Sequence, residues 1–209
     1  MKQGEKTKNH IISIANELFY HQGYRHTAIS DMVKASGLSK GHIMYHFNSK
    51  EAILKAVIDK RINDIQSLLL GWDTEFAHPR DRIKRFIEML LISHTDLILY
   101  GCPMGTLSSE LGKDNSKLLA IAREMFETFR RWLAIQFIEL GLTKERSADL
   151  ALELLARAQG ICIISHVYRD DKFLNAKIKE LKNWIESEWL NPLSSLPPCI
   201  LVLSANLLK

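Results

Sequence analysis

Residues 27–51 read TAISDMVKASGLSKGHIMYHFNSKE, and the reading of this stretch decides the fold. Thr27 is a residue type that caps a helix N-terminus, and Ser30 and Asp31 suit the positively polarised first turn that follows. Ile29, Met32 and Val33 then recur at the spacing of one buried helical face. Gly37 stops this helix, because the chain must turn left-handed there and glycine does so at little cost. Leu38 fills the corner. Ser39 caps a second helix with Ile43 and Phe47 pointing inward, and Ser49 caps a third, with Glu51 in its first turn. Two helices joined by a short glycine-containing turn form a helix-turn-helix, whose second helix fits the DNA major groove.

Because Ile43 and Phe47 point inward, Lys40, Gly41, His42 and Tyr45 form the outer face of the second helix. Lys40 can donate to guanine O6/N7 or to a phosphate, and the phosphate is the commoner partner. Gly41 lets the helix approach the bases closely. His42 either hydrogen-bonds a base edge or is an ordinary surface histidine. Thr27 is expected to combine capping with a phosphate contact. Charge placement agrees with such a face. Residues 1–50 carry seven Lys/Arg against three acids, whereas the remainder holds 21 of each, so the whole net charge of +4 sits with this segment. A phosphate-binding surface needs that distribution.

The stretch resembles the DNA-binding region of TetR-type (TetR/AcrR family) transcriptional regulators. Thr27, the turn Ala35-Ser36-Gly37-Leu38-Ser39-Lys40-Gly41 and the run Tyr45-His46-Phe47-Asn48-Ser49-Lys50-Glu51 carry the resemblance, which spans roughly residues 6–57. It implies an all-α homodimer that represses transcription and releases a double-stranded operator when a small molecule binds its C-terminal domain. By that resemblance Tyr45, His46 and Lys50 contact backbone phosphates, and Ser39 stands with them at the DNA surface. Met44 departs from the pattern, since the family usually has tyrosine there and methionine cannot donate to a phosphate.

The rest of the chain reads as helices. Ile11, Ile14, Ala15, Leu18 and Phe19 line a first helix that Gly23 ends and that covers the back of the helix-turn-helix. From Ser49 one long helix runs to about Gly71. Pro79 opens another, lined by Ile83, Phe86, Ile87, Leu90, Leu91, His94, Leu97 and Ile98, to about Tyr100. Gly101-Cys102-Pro103 breaks it, and a short helical stretch covers 104–111. Further helices span about 116–140, from the Thr143 cap through 150–167, and about 178–189. The expected organisation is a DNA-binding domain at 1–50, a larger helical effector-binding and dimerisation domain at 51–192, joined to the first by the long helix, and a tail of unassigned role at 193–209.

In the larger domain Phe86, Met89, His94, Tyr100, Met104, Met125, Phe126, Phe129 and Trp132 supply the aromatic and adaptable walls that an apolar effector pocket uses, and each also suits a plain core. Cys102 joins them. Pro103 suits the first position of a helix, which puts Cys102 at the cap, where the positive helix end favours a thiolate open to an electrophilic effector. Residues 150–167 are apolar on nearly every face, which implies burial on more than one side and most simply a twin subunit. Leu154, Ile161, Ile164, Ile178, Leu181 and Ile185 are the expected dimer contacts. Three cysteines without disulfide or metal-ligand spacing point to a reducing cytoplasm. No apolar run is read as membrane-spanning, and no cofactor, metal site or catalytic constellation is expected. A DNA-bound protein-interaction factor on the same fold, acting without a small-molecule effector, is the alternative function.

Overall fold

A computed structural model describes residues 3–92, 94–112 and 116–190, and within them the protein is helical with no strand. In chain order the helices are α1 (Gln3–His21), α2 (Ile29–Ser36), α3 (Lys40–His46), α4 (Lys50–Glu75), α5 (Pro79–Ile92), α6 (His94–Tyr100), α7 (Pro103–Leu111), α8 (Ser116–Glu139), α9 (Lys144–Tyr168) and α10 (Asp171–Leu190). The punctuation is largely where glycine and proline put it. Gly23, Gly37, Gly101 and Gly141 have φ of 84°, 70°, 80° and 92°, the left-handed region that only glycine enters freely. Proline opens α5 and α7, and the Thr143 hydroxyl accepts from the Arg146 N–H at 3.3 Å to cap α9.

Three boundaries differ from the sequence reading. α4 continues one turn past Gly71 to Glu75. The stretch expected to be one helix from Pro79 to Tyr100 is two, α5 and α6. α9 ends at Arg169, the described non-glycine residue with positive φ (53°). Its guanidinium donates to the Ile98 carbonyl at 2.7 Å and to that of Leu99, which offsets the backbone strain by satisfying carbonyls near the end of α6. The tail 193–209, with Cys199, lies outside the described residues.

The chain divides into two compact units, and the division does not fall near residue 50. The first comprises Met1–Leu70 with Tyr100–Phe129, the second Gly71–Leu99 with Arg130 onward. The first unit's core joins Ile11, Ala15 and Phe19 of α1 with Met32, Ile43 and Phe47, with Ile53, Leu54, Val57 and Ile58 of α4, and with Leu107, Leu111, Ala122 and Met125. Each such side chain contributes about 1.5–3 kcal/mol by leaving water. In the second unit α10 packs on α9 and on α5. Trp72 and Trp132 stack at 5.7 Å, and the Trp132 indole N–H donates to the Asp73 carboxylate at 3.0 and 3.1 Å. Arg82 bonds the Phe76 and Asp73 carbonyls, Gln136 and Glu139.

α9 also corrects the membrane expectation, since by length and composition alone it could cross a bilayer. The reason for its apolarity is packing: Leu150, Ala151, Leu154, Leu155, Ala158 and Cys162 form its buried face. Leu152, Ile163, Ile164 and Val167 on the same helix are exposed.

Candidate nucleic-acid interface

α2 and α3 are placed by contacts that reach back into the chain. Ala28, not Thr27, is the N-cap of α2, with φ −98° and ψ 163°. Its backbone N–H is taken by Asp31 Oδ2 at 2.8 Å, so the acid at the third helical position performs half of a capping box alone. Gly37 then turns the chain, its N–H bonded to the Val33 carbonyl at 3.1 Å. The Ser39 hydroxyl accepts from the His42 N–H at 3.2 Å and starts α3 as expected.

α3 has two opposite faces. Ile43 is wholly buried and Phe47, just past its end, is 5% exposed. Lys40, Gly41 and His42 are exposed, Tyr45 is 84% exposed, and His46 is half-buried. The rings of His42 and His46 lie parallel at 6.2 Å, and Tyr45 meets His46 edge-on at 5.2 Å. Met44 is also on the surface, at 36% exposure, in place of the tyrosine expected there. One cation, two imidazoles and a phenol on a short helix over a rigid apolar base can donate to base edges and phosphates.

Two residues stand elsewhere than the sequence suggested. Thr27 is 1% exposed, and its hydroxyl donates to the Gly23 carbonyl at 2.7 Å. A buried hydroxyl already committed to the preceding turn is neither the α2 cap nor a side chain that reaches a phosphate. Lys50 Nζ donates to the carbonyls of Tyr24 and Thr27, both at 3.0 Å, and sits 4.3 Å from the centre of the Tyr24 ring. Burial lowers the Lys50 ammonium from its ordinary pKa, with Glu110 opposing. The Tyr24 hydroxyl is raised, first by burial and then by the charge of Glu51. Ser49 accepts from the Ala52 N–H at 3.0 Å and caps α4 as expected.

Comparison with known proteins agrees with this geometry. The family model "Bacterial regulatory proteins, tetR family" matches residues 11–57, and that of the "Transcriptional regulator LmrA/YxaF-like, C-terminal domain" matches residues 79–180. The chain belongs to the TetR family of transcriptional regulators. An uncharacterized HTH-type regulator from the lacX 3' region of Lactococcus lactis subsp. lactis is 28% identical over 183 residues, 86% of this chain and 93% of that protein. LmrA of Bacillus subtilis (strain 168) is 24% identical over 162 residues, 76% of this chain and 86% of its own. Among solved structures, a TetR regulator from Chloroflexus aurantiacus superposes with a TM-score of 0.76 at 26% identity, covering 89% of this chain and 97% of that one. One from Cytophaga hutchinsonii gives a TM-score of 0.79 at 19% identity over 90% and 96%.

As a TetR-family member the protein is a DNA-binding transcription regulator and not an enzyme. The residues expected to form an effector pocket divide between the two units. Tyr100, Cys102, Met104, Met125, Phe126 and Phe129 belong to the first, Phe86, Met89, His94 and Trp132 to the second. Met125 is wholly buried in the first core with Met104 packed against it, and Tyr100 packs edge-on to Tyr20 at 5.7 Å. Phe86 is core in the second unit, Trp132 packs there on Trp72, and His94 is on the surface.

The expected dimer contacts need correction as well. Leu154, Ile178 and Ile185 are no more than 2% exposed and pack α9, α10 and their neighbours within one chain. Apolar periodicity marks a buried face without saying which neighbour buries it. Ile161, Ile164 and Leu181 instead line an open groove of ≈ 460 Å³ between α9 and α10, with Arg157, Phe173 and Trp184. The residues that sequence reasoning missed are Tyr24, Arg25 and Glu110, which hold the turn before α2; no local pattern marks them.

Proposed function

We propose that this TetR-family regulator is a homodimeric repressor that binds a near-palindromic operator and releases it when a small apolar or electrophilic effector reaches its larger domain. Lys40, Gly41, His42 and Tyr45 are the readers, with Ser39 and His46 beside them. Lys40 and Tyr45 take phosphates, and His42 a base edge. The observation that carries the reading is the exposed apolar face of α9: Leu152, Ile163, Ile164 and Val167 stand in water beside the α9–α10 groove, and a second copy would cover them. A two-fold dimer presents two recognition helices and therefore requires two inverted half-sites.

Cys102 is the proposed point of attack for an electrophile. It occupies the N-cap position of α7 with Pro103 next, and is 9% exposed. The half-buried Arg61 beside it donates to the Pro103 carbonyl at 2.7 Å and to Asn16 Oδ1 at 2.8 Å, tying this corner to α1 and α4. Burial lowers the guanidinium, and Cys102, Tyr20 and Glu17 oppose that shift. Such a regulator works in the cytoplasm, where the operator is. The experiment is selection of duplexes from random sequence by the purified protein. Two inverted copies of one motif support the reading, and a single unpaired motif overturns it.

A further inference from the structure

We propose that Glu110 of α7 is a positioning residue for DNA recognition, seating the turn Gly23–Thr27 through which the chain passes from α1 into α2. The inference rests on α3 being the recognition helix.

The turn makes little use of its own backbone. Beyond a long bond from the Thr27 N–H to the Tyr24 carbonyl, at 3.4 Å, its polar groups are held by side chains. The Arg25 N–H donates to Glu110 Oε2 at 3.1 Å. The Gly23 carbonyl accepts from Thr27, and the carbonyls of Tyr24 and Thr27 accept from Lys50. The Arg25 guanidinium in turn donates to the Glu110 carbonyl at 3.1 Å, near the end of α7, where helix carbonyls lack partners of their own.

Gly23 shows how closely the carboxylate is seated. A Cβ built there would stand 2.9 Å from Glu110 Oε1 and 3.3 Å from Oε2, at a φ of 84° that already favours glycine. The carboxylate therefore lies directly against the Gly23 backbone, one oxygen facing glycine and the other accepting from Arg25. Lys50, on the other side of the turn, feels the charge of Glu110. The turn is clamped from α7 by an anion and from α4 by a cation. α2 begins two residues after Thr27, and α3 follows it through the Gly37 turn, so a shift in the clamped segment moves the recognition helix. A recognition surface tolerates displacements of only about 0.5 Å. Charge alone offers a different reading, in which Glu110 merely screens Arg25 and Lys50 from phosphate.

Glu110→Ala and Glu110→Gln separate the two, measured by fluorescence anisotropy on a duplex selected by the wild-type protein and on a random duplex, across salt concentrations. A clamp predicts that Glu110→Ala lowers the selected-over-random ratio about tenfold at an unchanged salt slope. Glu110→Gln, which can still accept from Arg25, keeps most of that ratio. Tighter binding to both duplexes with a salt slope steeper by about one unit in either variant overturns the proposal, as does an unchanged ratio in folded Glu110→Ala. Should Glu110→Ala fail to fold, judged by its thermal melt, Glu110→Gln decides through the same slope. Gly23→Ala adds an independent check. Its loss should shrink when Glu110→Ala removes the clashing oxygens, and strictly additive losses count against the clamp. Failure of the wild-type protein to prefer any duplex would strike the recognition-helix reading instead.

Discussion

The division of α3 into a buried and an exposed face makes opposite predictions for residues two positions apart. Ile43 is wholly buried within the first unit's core. Ile43→Ala removes three carbons, about 2.4 kcal/mol by transfer alone, and the cavity raises the cost to roughly 2–5 kcal/mol. At this chain length that lowers the melting midpoint by roughly 4–20 °C. Tyr45 is 84% exposed, so Tyr45→Ala should change stability by no more than about 0.5 kcal/mol. It should instead weaken binding to a selected duplex by about 5–30-fold, the worth of one hydrogen bond to a phosphate. Circular dichroism melts and anisotropy titrations well below both midpoints measure the two quantities separately. Ile43→Ala should bind close to normally wherever it is folded. A Tyr45→Ala variant that melts like Ile43→Ala, or that binds DNA unchanged, refutes the assignment of the two faces.

Three further outcomes are expected. Lys40→Ala should weaken binding to all sequences and flatten the dependence of log K on log salt by about one unit; sequence-selective loss would make Lys40 a base reader. Ile164→Glu, at a position 39% exposed beside the α9–α10 groove, should yield a folded monomer by light scattering that no longer binds the selected duplex, and a dimer that still binds contradicts the proposed interface. Cys102, 9% exposed, should react with a maleimide before the wholly buried Cys162, with release of DNA from wild-type but not from Cys102→Ser. Mass spectrometry finding Cys102 unmodified in the folded protein rules that out.

What the sequence determined by itself was everything set within about one helical turn. Ser39 capping α3, Ser49 capping α4, Gly37 and Gly141 turning left-handed and Pro103 opening α7 are local bonds or local torsions, and each stands where its residue type placed it. The buried face of α3 followed in the same way, because Ile43 and Phe47 are spaced for one side of one helix. Tertiary structure alone decided what distant chain segments meet. Lys50 finds two carbonyls 26 and 23 residues away, and Arg25 finds Glu110 across 85 residues. Thr27 has the chemistry of a cap but is drawn into the preceding turn, leaving Ala28 and Asp31 in its place. Leu154, Ile178 and Ile185 carry the pattern of a buried face, and only packing showed that their own chain buries them. Local patterns record that a group must leave water or find a partner. The identity of the partner depends on how the helices return upon one another, which no window of neighbouring residues contains.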